Sequence, residues 1–254
     1  MMEPIILADN RFLDGTPTAT DKAAGYNVLF IRDYKTFTSW KAASVGTKYL
    51  TVDCGTAKSA DCIAFVGHNF GTGAAQISVE SSDNGMDWVE RITPFTVNDD
   101  KTALRTFASV SARYWRVKIA SPTIAPQVAV LLVGVRITFP YPPDAPFSPG
   151  KEGMEVSAAR SRTGQLLGVD VRFKPYSIRA QWKDLSRTWV ESYFLPFWDN
   201  HASNLTPFFW AWDLAVYPNN VRYVRVAEQF GLDPKVSVLG VYDSIELDME
   251  GVKE

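Results

Sequence analysis

The chain has few side chains of the kinds that bind transition metals or act as nucleophiles. Its only histidines, His68 and His201, lie far apart, and neither has further ligands at metal-binding spacing. A zinc site needs three or four such ligands, so we predict none. Cys54 and Cys62, the only cysteines, are eight residues apart. This spacing allows a bridge between neighbouring strands, but without an export signal two buried free thiols are favoured.

The sequence lacks the motifs of catalytic and cofactor-binding sites. There is no Gly-x-Ser-x-Gly, no P-loop and no dinucleotide fingerprint. Acidic residues are numerous, but a glycosidase needs two carboxylates flanking a cleft, and no motif fixes such a pair here. We therefore predict a protein that is not an enzyme and that needs no cofactor.

Composition and charge narrow the classes of partner. Of the 254 residues 46% are hydrophobic, and the net charge of −2 lacks the basic excess of nucleic-acid-binding proteins. The longest apolar run, 128–135, is far shorter than the roughly 18 residues of a membrane helix, so we predict no membrane insertion. The first ten residues lack the basic region of a secretory signal. Eight tryptophans and an aromatic content of 13% favour a rigid, β-rich protein.

A proline-rich segment divides the chain near its middle. Residues 138–153, "TFPYPPDAPFSPGKEG", contain five prolines and two glycines and have almost no periodic apolar pattern. Such a composition is typical of a semi-rigid linker. We place the boundary at residue 145, which gives domains 1–145 and 146–254, and we expect 1–145 to fold alone.

Alternating apolar and polar residues predict short strands throughout 1–145. In "SARYWRVKIA", 111–120, one face carries Trp115, Val117 and Ile119. Asn84 and Gly85 supply the positive φ angles of a hairpin turn. Further strands are predicted in "KYLTVDCG", "DCIAFVGHN" and "QVAVLLVGVRITF", and no segment has a sustained helical period. We predict a mainly β protein whose N-terminal half is an antiparallel jelly-roll sandwich.

Four segments of this half, in order, resemble the discoidin or coagulation-factor type C domain, a jelly roll common among carbohydrate-binding modules. They are "DYKTFTSW" (33–40), "YLTVDCG" (49–55), "SSDNGMDW" (81–88) and "ARYWRVKI" (112–119). The resemblance implies that the motif residues form the structural framework of the fold: Trp40, Asp53, Trp88, Arg113, Trp115 and Arg116. It also offers Asp53 as the carboxylate that pairs with Arg113.

The sequence departs from the family pattern at positions that affect metal binding and sugar binding. Many such domains hold a structural calcium in the loop before the tryptophan, and Asp33 is the weak candidate ligand here. Lys35 replaces the second acid, and Gly134 occupies the place of a closing glutamate, so we predict no metal site. No loop has the tryptophan-plus-arginine cluster expected of a sugar platform. The family resemblance therefore does not by itself establish sugar binding.

The second half predicts a β-sandwich with one packed helix. Thr188 and Glu191 have the spacing of a capping box, and Pro196 is expected to kink or end the helix. Aromatic residues at helical spacing form one apolar face, and "PFFWAWD" (207–213) is a strand with an aromatic face. The aromatic face consists of Trp189, Tyr193, Phe194 and Phe197.

The order of these elements resembles the tail-tube-like domain of tailed-bacteriophage distal and minor tail proteins. The resemblance implies a structural component of a siphophage-type tail tip, located in the virion and made in the host cytoplasm. Its C-terminal domain would form a homo-oligomeric ring that contacts the tube, hub and tape-measure proteins, with DNA only in transit. The jelly roll would decorate the ring, with a host-surface glycan as a further partner. One alternative is a lectin-like carbohydrate-binding protein, and a more distant one is an accessory domain pair of a polysaccharide-degrading enzyme.

The final strand, "YDSIELDME" (242–250), has an acidic face. Ile245, Leu247 and Met249 share one parity, so Glu246, Asp248 and Glu250 must share the other. The simplest interpretation is a solvated acidic face. Because a ring of the resembling kind carries DNA, and a negative wall repels phosphates, we predict that these three carboxylates face a channel or the solvent beside it.

Overall fold

The computed structural model describes residues 3–236 and 241–252, and these are mainly β. Their strands follow in chain order: β1 (Ile5–Leu7), β2 (Thr18–Ala19), β3 (Trp40–Lys41), β4 (Lys48–Val66), β5 (Gln76–Ser82), β6 (Val89–Glu90), β7 (Ala103–Ala120), β8 (Gln127–Val128), β9 (Val130–Gly134), β10 (Ile137–Thr138), β11 (Lys151–Glu152), β12 (Glu155–Arg160), β13 (Leu166–Phe173), β14 (Pro175–Trp182), β15 (Phe208–Ala211), β16 (Val221–Val226), β17 (Lys235–Val236) and β18 (Tyr242–Val252). A helical segment comprises α1 (Arg187–Trp189), a π-helical stretch (Val190–Phe194) and α2 (Leu195–Asn200). Short 3₁₀ turns occur at Arg11–Leu13, Val28–Arg32 and Ala202–Asn204.

The first half folds as an antiparallel sandwich. One sheet has the order β2-β4-β7-β5-β6, with β9 also paired to β4, and a second, small sheet joins β3 to β8. The predicted alternation agrees with the observed register, since Leu50 lies opposite Val117 and Val52 lies opposite Trp115. All four side chains face the apolar core of the first half, which we call the first core. The predicted mainly β, antiparallel fold class is confirmed.

Two details of the predicted strands differ. "KYLTVDCG" and "DCIAFVGHN" form one long strand, β4, which is interrupted by irregular pairing between Asp53 and Lys58. The predicted hairpin joins β5 to β6, but of the two predicted turn residues Gly85 has a positive φ, of 75°, and Asn84 does not. Its turn is longer than a two-residue one because the Asn84 side chain accepts hydrogen bonds from the amides of Met86 and Asp87 and thereby closes a wider loop.

The second sheet draws on both halves of the chain. Its order is β10-β1-β15-β16-β18-β14-β11, with β17 on β18. Ile6 lies opposite Trp210 on one side and Ile137 on the other. The predicted boundary at residue 145 therefore does not coincide with the division between the sheets, because strands from before it lie inside the second sheet.

The helical segment packs on the second sheet, but its start differs from the prediction. Ser186, not Thr188, caps the helix, accepting a hydrogen bond from the Trp189 amide at 3.2 Å. Glu191 is not part of a capping box, since it forms an ion pair with Arg187. The buried aromatic face comprises Phe194 and Phe197, which pack with Trp182 and Trp210, whereas Tyr193 is half exposed.

A third apolar layer joins the two halves. It includes Leu7 and Phe209 of the second sheet and Cys62, Leu104 and Leu132 of the first. These side chains are almost completely buried, and a fully buried side chain of this size stabilises the fold by roughly 1.5–3 kcal/mol. The halves therefore share a core layer. Among the described residues no helix is long and apolar enough to cross a membrane.

Candidate functional site

Trp40 and Trp115 lie in the first core and are completely buried. The indole nitrogen of Trp40 donates to the Asp21 carbonyl at 2.9 Å, and that of Trp115 donates to the Ala112 carbonyl at 3.1 Å. Both polar atoms are therefore satisfied inside the sandwich. Neither ring is available to a ligand.

Arg113 of β7 and Asp53 of β4 form a two-point ion pair beside the irregular pairing of these two strands. Arg113 Nε donates to Asp53 Oδ1 at 2.8 Å, and Nη2 donates to Oδ2 at 2.7 Å. Asp53 also accepts from the Gly55 amide at 2.7 Å. The Arg113 guanidinium and this amide hold the pKa of Asp53 well below its ordinary value.

Trp88 lies on the outside of the sheet, where its ring covers Arg116. The Arg116 guanidinium carbon is 3.9 Å from the Trp88 ring centroid and 4.4 Å from that of Tyr49. Arg116 Nε donates to Glu80 at 2.5 Å, and Lys118 is 3.5 Å from the same carboxylate. A guanidinium held between two rings and an acid clamps three strands together. This tryptophan–arginine cluster joins residues that are far apart in the sequence.

Asp33, the weak metal candidate, is occupied by its own loop. Its carboxylate accepts from the Lys35 amide at 2.9 Å and from the Thr38 hydroxyl at 2.7 Å. No group of three or more His, Cys, Asp or Glu side chains in residues 3–236 and 241–252 is arranged to hold a metal ion. Asp33 therefore closes the loop 33–38 as a structural hydrogen-bond acceptor.

The carboxylates of the last strand lie on one face of β18, partly exposed, while the alternate aliphatic residues are completely buried. Glu246 forms an ion pair with Arg179, and Glu250 forms one with Arg225 at 2.9 Å. Partial burial raises the pKa of Asp248. These intrachain pairs reduce the net negative charge of the face. Whether it lines a channel stays a prediction.

A concave site touched by the jelly-roll loops is a groove of about 710 Å³. It lies between the loop 34–37 and the end of the second sheet. We call it the loop groove, and its walls are Tyr34, Lys35, Thr36, Phe37, Val66, Gly67, Asp100, Pro207, Tyr223, Val224, Arg225, Glu250, Gly251 and Val252. Both halves of the chain contribute to it.

The second half fixes the conformation of this loop. Tyr34 adopts a left-handed backbone conformation with a φ of 62°, which costs a residue other than glycine roughly 1–3 kcal/mol. The Tyr223 hydroxyl donates to the Tyr34 carbonyl at 2.8 Å, and the Tyr34 ring packs edge-on against His201. Burial and the nearby Asp9 raise the pKa of the Tyr34 hydroxyl to about 12, so it stays neutral. The loop is thus fixed before any ligand arrives.

One apolar ring and charged groups of both signs line the loop groove. Phe37 is 84% exposed, with the Lys35 ammonium 5.8 Å from its ring centroid. Arg225 and Glu250 form their ion pair in the opposite wall. Phe37 is not among the site residues that the sequence predicts, although a phenylalanine inside the polar loop "YKTFTS" is a local signal. No local signal placed Arg225 and Glu250 beside it.

Asp100, also in the wall of the loop groove, already accepts a hydrogen bond at each of its carboxylate oxygens. Partial burial raises the pKa of Asp100, but hydrogen bonds from the hydroxyl and amide of Thr72, at 2.6 and 3.0 Å, outweigh burial and hold the pKa below its ordinary value. A general acid needs a raised pKa. Asp100 is therefore suited to accepting hydrogen bonds rather than to donating a proton.

Comparison with known proteins identifies the first half only. Residues 17–129 match the F5/8 type C domain family. A chitosan-binding module from a Paenibacillus sp. IK-5 chitosanase/glucanase is 21% identical, with 49% of this chain and 97% of that chain covered and a TM-score of 0.43. A module from Clostridium perfringens, solved with GalNAc-β-1,3-galactose, is 15% identical, with 50% and 99% covered and a TM-score of 0.43. No curated protein matches the chain. Residues 17–129 are thus an F5/8 type C, or discoidin-like, jelly-roll domain at the N-terminal end of this chain.

Proposed function

We propose that this protein binds a carbohydrate in the loop groove and acts as a lectin-like module without catalysis. The observation that carries the proposal is the highly exposed Phe37 ring, which stands beside charged hydrogen-bonding groups in a groove formed by a jelly-roll loop. Ligand sites of this kind combine apolar walls with a few convergent polar groups.

The chemistry of a sugar suits these walls. One face of a pyranose ring carries C–H groups, which pack against an aromatic ring, and its edges carry hydroxyls. Glu250 accepts hydrogen bonds from hydroxyls, while Lys35 and Arg225 donate to their oxygens. Because Tyr34 is held by Tyr223, little conformational entropy is lost when the ligand binds.

The groove contains two carboxylates, but their environment favours binding over hydrolysis. Asp100 has a lowered pKa and Glu250 is paired with Arg225. Glycoside hydrolysis requires one carboxyl group that stays protonated as the acid. We therefore propose that both carboxylates hold hydroxyls rather than transfer protons.

A glycan array followed by calorimetric titration of the best ligand tests the proposal. Phe37→Ala should weaken binding at least about tenfold, which corresponds to roughly 1.4 kcal/mol. Met86→Ala, which also removes a highly exposed apolar side chain but on the hairpin 83–88 outside the groove, should leave affinity unchanged. An array without hits, or equal affinity for wild type and Phe37→Ala, would refute the proposal.

A second candidate is a structural role in a siphophage-type tail tip. It rests on the order of elements in the second half, and one structural observation favours it: the exposed two-stranded hairpin β12–β13, which suits assembly. In this role the chain forms a homo-oligomeric ring with tube, hub and tape-measure proteins in the virion. Mass spectrometry of purified tail particles tests it. Absence of the chain from those particles would exclude the role.

A further inference from the structure

The hairpin β12–β13 extends away from both sheets. Within residues 3–236 and 241–252 its strands pair only with each other, and every residue of both strands is exposed. The hairpin continues the pairing of β11 with β14, and the Gly153 amide donates to the Pro175 carbonyl at 2.7 Å at its base. At its tip, the Ser161 amide donates to the Gln165 carbonyl at 2.8 Å. We call residues 153–174 the arm.

One face of the arm is apolar. Val156 lies opposite Val171 and Ala158 lies opposite Val169, so these four side chains share a face. The pairing is regular between these two pairs, and the register shifts beyond them at both ends of the hairpin, so the four side chains define the apolar face. The other face carries Ser157 opposite Asp170, and Ala159 opposite Gly168.

An isolated hairpin with an exposed apolar face is energetically unfavourable in water. A two-stranded hairpin in water is at best marginally stable, and both of its edges expose unpaired backbone groups. Leu167 is 68% exposed and Val169 52%, so their apolar area remains in contact with water. Nothing in the described part of the chain covers them. A contiguous exposed apolar surface marks an interaction site.

The net charges of the arm and of the rest of the chain favour a second copy of this chain as the partner of the apolar face. The arm carries Arg160, Arg162, Arg172 and Lys174 against Glu155 and Asp170, a net charge of +2. Since the whole chain has a net charge of −2, the remainder carries −4. The arm therefore attracts the body of another copy, whereas two arms packed on each other would repel.

The arm is large enough to form part of an interface with a second copy of this chain. The arm comprises the 22 residues 153–174. A standard protein–protein interface uses about 20–30 residues a side. Because alternate strand residues point to opposite faces, the apolar face presents only about half of these residues, so the arm supplies part of one side of such an interface.

We propose that the apolar face of the arm docks on the body of a second copy of this chain. The contact is head-to-tail, because an arm meets a body rather than another arm. Contacts of this type close into a ring or continue as a chain of subunits. The proposal does not depend on carbohydrate binding, since no arm residue lines the loop groove.

Two neighbouring alanines provide a matched test. Ala158→Asp places a carboxylate on the apolar face, and Ala159→Asp places the same carboxylate on the opposite face. Both alanines are exposed, and both variants change the net charge equally. A difference in association between the two variants therefore reports which face of the arm carries the new carboxylate. The measurement is molar mass by size exclusion with light scattering, on the full chain over a range of concentrations, with circular dichroism to verify folding.

We expect the wild type and Ala159→Asp to form the same oligomer and Ala158→Asp to shift to monomer, with at least about a tenfold weaker association constant. The association of the wild type should also weaken with added salt. A monomeric wild type overturns the proposal. Equal behaviour of the two variants overturns the assignment of the apolar face.

Discussion

Arg113 and Asp53 are 60 positions apart in the sequence, yet they meet through two parallel hydrogen bonds of 2.8 and 2.7 Å. The pair joins β7 to β4 just where the pairing of these strands becomes irregular, between Asp53 and Lys58. A bidentate contact restricts the angle as well as the distance between its partners. It therefore fixes the relative position of the two strands at the point where the backbone ladder is interrupted.

The first prediction concerns the acid dependence of this pair. Because the folded-state pKa of Asp53 lies below its unfolded value, the pair's stabilisation is present above the unfolded pKa of about 3.9 and is lost as the pH falls toward the folded pKa. Asp53→Asn should lower the free energy of unfolding slightly at pH 7, since both side chains are partly exposed. The difference from wild type should shrink in urea titrations near pH 3. Asp83→Asn, at an exposed position in a nearby loop, is the control, and an equal effect of both variants would contradict the prediction.

The second prediction contrasts two tryptophans of the framework motifs. Trp40 is completely buried, so Trp40→Ala should cost roughly 3–5 kcal/mol. Trp88 is only partly buried and covers Arg116, so Trp88→Ala should cost less, about 1–2 kcal/mol. Urea unfolding of both variants measures the difference. Comparable losses would show that the outer cluster stabilises the fold as much as the core does.

The third prediction concerns calcium. Asp33 already accepts hydrogen bonds from the Lys35 amide and the Thr38 hydroxyl. Millimolar calcium should therefore change the melting temperature by less than about 1 °C relative to a chelator, because a ligand stabilises a protein only in proportion to its binding. Scanning calorimetry with calcium, with magnesium and with EDTA checks this. A rise of several degrees with calcium alone would show that a metal site forms in this loop.

The fourth prediction concerns the fragment 1–145. The sequence predicts that it folds alone, but the structure places Leu104 and Leu132 in the layer between the halves. Without the second half these side chains lose their cover, so the fragment should associate in light scattering. Leu132→Ser should reduce this association in the fragment and destabilise the full chain, where Leu132 is completely buried. A monomeric, cooperatively unfolding fragment 1–145 would show that the shared layer is dispensable.

The sequence alone determined the features that depend on local periodicity. In β18 the alternation of residues 245–250 settles which side chains are buried, because a strand turns successive side chains to opposite faces. Trp115, Val117 and Ile119 face the core for the same reason. Local motifs also located the hairpin at Gly85 and the jelly-roll domain, which is predicted as 1–145 and which the family match covers over 17–129.

Only the tertiary structure decided the features that join distant segments. Tyr34 is 189 positions from Tyr223, and their hydrogen bond shapes the loop groove. Ile6 pairs with Trp210, which places the first strand in the second sheet although it lies in the predicted domain 1–145. Strand pairing and side-chain contact depend on which surfaces meet in space, and no local pattern records the partner. The exposure of Val169 on the arm has the same origin, because only the fold shows that none of the described residues covers it.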